Sequence, residues 1–179
     1  EIYNQLKHKF NLKGFEEKKA ILLFPGSVWA TKRWTAEGFI GLGKSLQSLG
    51  YVIYVMGGPG EEELSERVAS AIGCSSLAGQ TRVYESAHLI ARASLLVGND
   101  SASTHLAAVT KTPLIAVFGP TVLEFGYRPW SSRGYIEQTE LPCRPCGKHG
   151  HHRCPIGTHD CMKKIESQTV LQTALAILR

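Results

Sequence analysis

The stretch LLVGNDSASTHLAAV, Leu95–Val109, sets an apolar run directly against a polar cluster, and then resumes with apolar residues at helical spacing. Read locally, it is a buried strand that turns into a helix at Asn99, Asp100, Ser101, Ser103, Thr104 and His105. The same alternation runs outward in both directions. AILLFPG (Ala20–Gly26) reads as a buried strand closed by a Pro-Gly turn, and YVIYVMGG (Tyr51–Gly58) as a second one rich in β-branched and aromatic residues. Between them lies TAEGFIGLGKSLQSLG, with Thr35 as N-cap, an inward stripe of Phe39, Ile40, Leu42, Leu46 and Leu49, and Gly50 as its stop. EEELSERVASAIG predicts a further helix with acids in its first turn, where the helix dipole favours them. A short strand is expected at Ser76–Ala78, a helix at Tyr84–Ala93, a strand in PLIAVFGP, a helix from Ser103 to Val109, and a terminal amphipathic helix in IESQTVLQTALAILR. Residues 1–19 read as a linker or an N-terminal helix.

Strands that are apolar throughout and alternate with helices imply a parallel sheet covered on both faces, with right-handed crossovers. The expected fold is therefore α/β and Rossmann-like. In such a sheet, ligands bind outside the carboxyl ends of the strands. That rule selects four segments: Gly26–Arg33, Gly57–Glu63, Gly98–His105 and Gly119–Thr121. The polar cluster of the opening stretch falls in one of them.

The chain has 179 residues, enough for one domain with a proper core, and its 43% hydrophobic and 20% charged residues fit a globular protein. No apolar run approaches the roughly 18 residues that a membrane-spanning helix needs. The start at Glu1, without Met, predicts a piece excised from something longer. Net charge is +5, from 20 basic and 15 acidic side chains. An ordinary solvated surface explains that excess, and so does attraction to an anionic partner such as a nucleotide diphosphate or a membrane face. There is no dense Lys/Arg block and no interleaved aromatic platform, so nucleic acid is not an expected partner.

Two common phosphate loops are absent. The chain has no GxxxxGK[ST], and in GGPGEEE the third glycine of GxGxxG is replaced by Glu63, which counts against a dehydrogenase. NDSASTH offers instead what a phosphate needs at a strand-to-helix junction: unpaired amides, hydroxyls and the positive end of a helix. Plain capping would need one such residue, not a cluster with His105 one turn in. Lys32 and Arg33 lie at the same edge of the expected sheet, where a cation neutralises phosphate charge.

Taken in order and spacing, PGS and TKRW, GGPGEEE, LAGQT, GNDSASTHLAA and AVFGPT resemble the donor-binding half of the bacterial ADP-heptose:lipopolysaccharide heptosyltransferases, from about Leu22 to Cys161. The resemblance implies the C-terminal domain of a GT-B fold, two Rossmann-like domains facing across a cleft, with the N-terminal acceptor domain absent from this chain. It implies that Lys32 contacts the donor diphosphate, that Asp100 binds the heptose, and that Ser101 with neighbouring amides holds the phosphates beside His105. Glu61 would take the adenosine ribose, with Glu62 and Glu63 as competitors for that register. Gly79, Gln80 and Thr81 would line the adenine. Ala102 stands where some members have Gly. The implied reaction is inverting transfer of heptose to the lipopolysaccharide inner core, without a catalytic cofactor. Its general base is an Asp of the missing domain, so no catalytic base is assigned in these residues. The implied setting is cytoplasmic, at the inner face of the inner membrane. A different GT-B nucleotide-sugar transferase or an epimerase would share the diphosphate site, and a zinc-binding interaction module is an alternative from another class.

That last alternative comes from CRPCGKHGHHRCPIGTHDC. Its Cys143, Cys146, Cys154 and Cys161 have the spacing of a structural zinc site, with His149, His151, His152 and His159 interspersed. Reduced thiols in a loop typical of the resembled family, or one or two disulfides, are the other readings, and a cytosolic setting disfavours disulfides. The His-rich segment could equally meet the acceptor. Cys74 is expected to be a lone buried thiol.

Overall fold

The apolar runs pair side by side in a six-stranded sheet. In the computed structural model, which describes all of residues 1–179, the strands are β1 (Ala20–Phe24), β2 (Val52–Val55), β3 (Ser75–Ser76), β4 (Leu95–Asn99), β5 (Leu114–Phe118) and β6 (Gly134–Gln138). They lie in the order β3-β2-β1-β4-β5-β6, and every pair is parallel. The helices are α1 (Ile2–Phe10), α2 (Ala36–Ser48), α3 (Glu62–Ile72), α4 (Val83–Ile90), α5 (Ala102–Val109), α6 (Asp160–Lys163) and α7 (Ser167–Leu178).

Alternate residues of each strand feed opposite cores, as the period of two requires. Ile21, Leu23, Ile53, Val55, Leu95, Val97, Ile115 and Val117 pack with Phe39, Leu42 and Leu46 of α2, Val68 and Ile72 of α3, and Val170 and Ala174 of α7. Ala20, Leu22, Tyr54, Leu96, Leu114, Ala116 and Phe118 face the other way, onto Tyr3 and Leu6 of α1, Leu89 and Ile90 of α4, and Ala107 of α5. Helices on both faces explain why these strands are apolar throughout. They also settle the ambiguity over the first nineteen residues: α1 is a helix, stopped at Asn11 in the left-handed conformation and seated on the core by Tyr3 and Leu6.

Most boundaries fall close to expectation. The Thr35 side chain accepts from the Gly38 amide at 3.0 Å, and Gly73 closes α3 at φ 84°. The short strand shifts to Ser75–Ser76, and α4 ends at Ile90 rather than Ala93. Sequence reading missed β6 and α6. β6 pairs with β5 alone and carries exposed Tyr135 and Gln138, so it lacks the continuous apolar run of the inner strands. Cys74 is half-buried beside the first core rather than fully buried.

Candidate active site

The chain path reverses between β1 and β4: β2 and β3 extend the sheet to one side, β5 and β6 to the other. Such a reversal opens a crevice at the carboxyl ends of the two central strands. Asn99, fully buried at the end of β4, ties the two strand ends together. Its Nδ2 donates to the carbonyls of Pro25 (2.9 Å) and Gly26 (3.1 Å), while its Oδ1 accepts from the Trp34 amide (2.8 Å). The next residue, Asp100, spans the same gap with charge. Lys32 Nζ, from the loop after β1, lies 2.6 Å from Asp100 Oδ2, and both side chains are almost wholly buried. Thr121, just after β5, donates its hydroxyl to the same oxygen at 2.9 Å. A buried ion pair needs such further hydrogen bonds to offset desolvation.

Beside this pair opens a cleft of about 330 Å³, lined from the ends of β1, β2 and β4 and from the start of α4. At one end are Ser101, Ala102 and Ser103 at the start of α5. Ser101 occupies the N-cap position but makes no side-chain cap bond; its hydroxyl instead pairs with that of Ser103 at 3.1 Å. The Thr104 amide bonds back to the Ser101 carbonyl at 3.3 Å, whereas the Ala102 and Ser103 amides have no backbone partner and lie at the positive end of the helix dipole, an arrangement that suits an anion. Towards the other end are Gly58, Pro59, Glu61 and Thr81. Glu61 accepts from the Gly58 amide at 2.8 Å, and its carboxyl lies so close to Gly26 that a Cβ there would stand 2.2 Å away. Glu62 turns aside to the Gly60 amide at 2.7 Å, and Glu63 is exposed. Helix phase thus separates three adjacent acids: Glu61 alone lines the cleft. Gly79, at φ 71°, and Gln80 border a second, more open depression that shares Pro59, Thr81 and Val83 with the first.

The fold therefore gathers Glu61, Thr81 and Ser101 into one cleft, with Gly79 adjoining and the Lys32–Asp100 pair next to Ser101 in the crevice floor. It does not gather His105 or Arg33. His105 is exposed on α5 and does not line the cleft, and Arg33 folds back so that its Nε donates to the Ser27 carbonyl at 2.8 Å. Sequence reasoning missed the parts played by Asn99, Gly26 and Thr121. Thr121 was within reach, since it ends the quoted AVFGPT stretch after a strand.

The cysteine expectations fare differently. All five cysteines are free thiols, so no disulfide joins them. No three His, Cys, Asp or Glu residues are arranged to hold a metal ion, so Cys143, Cys146, Cys154 and Cys161 do not fit a zinc site as they stand. The sulfurs of Cys143, Cys146, Cys154 and Cys161 lie near enough for Cys146 and Cys161 to feel the others, which adds to the effect of burial in raising both thiols. Burial pushes the Cys161 and Cys74 thiols up to about 11. For Cys154 burial also acts upward, but the amides of His159, Ile156, Gly157 and Thr158 outweigh it and hold the thiol below its usual range.

Comparison with known proteins agrees with this geometry. The description "Glycosyltransferase family 9 (heptosyltransferase)" matches residues 3–155. Among curated relatives, lipooligosaccharide heptosyltransferase 2 of Campylobacter jejuni is 29% identical over 169 residues, covering 90% of this chain and 52% of that protein. Lipopolysaccharide heptosyltransferase 3 of Escherichia coli K12 is 36% identical over 116 residues, 62% of this chain and 33% of its own length. Among solved structures, the ADP-heptose lipopolysaccharide heptosyltransferase II of E. coli superposes with a TM-score of 0.82 at 26% identity, over 99% of this chain and 51% of that one. The chain thus spans about half the length of the relatives that it matches most fully. With its sheet order, its cleft and this match, the chain belongs to glycosyltransferase family 9, the heptosyltransferases.

Proposed function

We propose that these residues form the nucleotide-sugar half of a heptosyltransferase, binding ADP-heptose in the 330 Å³ cleft for inverting transfer to a lipopolysaccharide inner-core acceptor. The observation that carries the reading is the cleft itself. It runs from the open first turn of α5 at Ser101–Ser103 to the Glu61 carboxylate beside Gly26, an anion site at one end and a hydroxyl acceptor towards the other. A diphosphate flanked by a ribose matches that order, and the similar E. coli protein is described as an ADP-heptose enzyme.

In this reading the diphosphate sits on the Ser101–Ser103 turn. Lys32 uses one N–H on Asp100 and turns the others to the phosphates. Glu61 accepts from the ribose hydroxyls, and Gly79, Gln80 and Thr81 line the adenine. Asp100 keeps Oδ1 for a heptose hydroxyl, its Oδ2 being taken by Lys32 and Thr121. As the glycosidic bond breaks, negative charge grows on the departing ADP; fixed amides and a fixed ammonium stabilise it most in the transition state. The base that deprotonates the acceptor belongs to the other half of the enzyme, and no metal takes part in these steps. No helix is long and apolar enough to cross a membrane. The proposed setting is the cytoplasm, with peripheral contact at the inner membrane, where the net charge of +5 suits an acidic surface.

Isothermal titration with ADP-heptose, ADP and UDP-sugars tests this. Binding selective for the adenine nucleotides, and weakened by Asp100→Ala for ADP-heptose more than for ADP, is the expected result. Equal binding of UDP-sugars, or none of any nucleotide, would overturn the assignment of donor.

A further inference from the structure

Lys32 is not held by regular structure. It ends a three-residue 3-10 turn, Ala30–Lys32, and so short a turn does not fix its own position. What grips it is the Cys/His-rich segment more than a hundred residues later. The Thr31 amide and hydroxyl both donate to the His151 carbonyl, at 3.0 and 2.9 Å, and the Thr31 hydroxyl accepts from the His151 amide at 2.8 Å. The Thr31 carbonyl is 2.8 Å from His159 Nε2, which must therefore carry the proton and donate. His151 Nε2 donates in turn to the Cys146 carbonyl at 2.7 Å, closing the segment on itself. Between these contacts Gly150 is buried at φ 97°. A Cβ there would come within 3.2–3.3 Å of Thr31 Oγ1, Lys32 Cγ and Trp29 Cβ, so the segment's backbone lies directly on the Lys32 stem.

The same segment reaches the other side of the ion pair. Arg144 donates to the carbonyls of Gly119, Thr139 and Thr121 and to Gln138 Oε1. It thereby fixes Thr121, whose hydroxyl is bonded to Asp100.

We propose that residues 143–159 form a strap that sets Lys32 against Asp100, with His151 and His159 as its positioning residues. The role rests on the reading of Lys32 as a diphosphate contact. An unstrapped lysine must give up its rotamer freedom when the ligand binds, whereas a strapped one has given it up on folding. The strap therefore acts on the diphosphate portion of binding and leaves the nucleoside portion alone. Histidines suit the task because a ring nitrogen reaches a carbonyl from a loop that has no regular structure of its own.

Two measurements on His159→Ala, His159→Gln and Thr31→Val test it. Thr31→Val nearly conserves shape but loses both hydroxyl bonds, and the Gln amide retains a donor for the Thr31 carbonyl. The first measurement needs no ligand: acetic anhydride labelling read by peptide mass spectrometry, with exposed Lys44 as internal reference. Lys32 is expected to label slowly in the unaltered chain, severalfold faster in His159→Ala and Thr31→Val, and slowly again in His159→Gln. The second is titration with ADP and with adenosine. His159→Ala and Thr31→Val are expected to weaken ADP about tenfold, the scale of one net hydrogen-bond contribution, with adenosine unchanged. Unchanged Lys32 labelling in both variants would overturn the strap, and so would a parallel loss of ADP and adenosine binding. If the unaltered chain bound no ADP, the nucleotide reading would fall, while the labelling would still decide on the strap.

Discussion

Replacing Lys32 by Met keeps the length of the side chain and removes its charge. Asp100, only 4% exposed at its side chain, then has the Thr121 hydroxyl as its one remaining partner on Oδ2. Stranding one member of a buried pair costs about 3–5 kcal/mol. For a chain of 179 residues that corresponds to a fall in melting temperature of roughly 6–20 °C. Removing both charges, in Lys32→Met with Asp100→Leu, leaves nothing to desolvate, so the double variant should recover most of the loss. Urea unfolding of the unaltered chain, both single variants and the double variant gives the coupling directly. A loss below about 1 kcal/mol for Lys32→Met would refute the buried-pair argument. So would a double variant that loses the sum of the two singles.

Other variants probe the cleft and its frame. Gly26→Ala drives a methyl into the Glu61 carboxyl, the mobile end of a side chain, so stability should change little. Affinity for adenosine and ADP should both fall in titration, because the ribose acceptor has moved. Asn99→Ala strands the groups that bond to Asn99, namely the Pro25 and Gly26 carbonyls and the Trp34 amide, and should cost about 3 kcal/mol or more in urea unfolding. The thiols of Cys74 and Cys161, raised to about 11, hold their protons in the folded chain after an unfolded thiol has lost its own near pH 8.5. The folded state binds more protons across that window, so stability should fall as pH climbs from about 8.5 towards 11, and Cys→Ala at both positions should flatten the decline. Iodoacetamide at pH 7.5 should modify Cys154, whose thiolate is favoured by four amides, well before either of them.

The layout of the sheet was legible because its inner strands are buried on both faces. A run such as Leu95–Val97 or Leu114–Phe118 has no solvent side to disguise it. β6 was illegible for the opposite reason: it bonds one neighbour and leaves Tyr135 half-exposed. The site was legible wherever it depends on a strand end followed by a helix start, as at Asp100 and Ser101. It was not legible where the deciding contact is distant in the chain. Thr121 and Asp100 are 21 residues apart, and Thr31 and His151 are 120 apart. No periodicity encodes such pairs. Glu61, Glu62 and Glu63 are equivalent in composition, and only the phase of α3, with Glu61 at its N-cap, tells them apart. The four clustered cysteines do lie near enough to act on one another's thiols, but no three His, Cys, Asp or Glu residues are arranged around a metal position, and spacing along the chain does not encode that arrangement.

In the proposed function an adenine nucleotide occupies the crevice between the ends of β1 and β4. Amide chemical shifts of the isotopically labelled chain, followed through a titration with ADP, test it most directly. Saturable shifts are expected at Gly58, Thr81, Ser101, Ala102 and Ser103, and unmoved resonances at Lys18, Lys111 and Arg133 at the opposite end of the strands. Shifts centred on that opposite end, or no saturable shift at Ser101–Ser103, would contradict it.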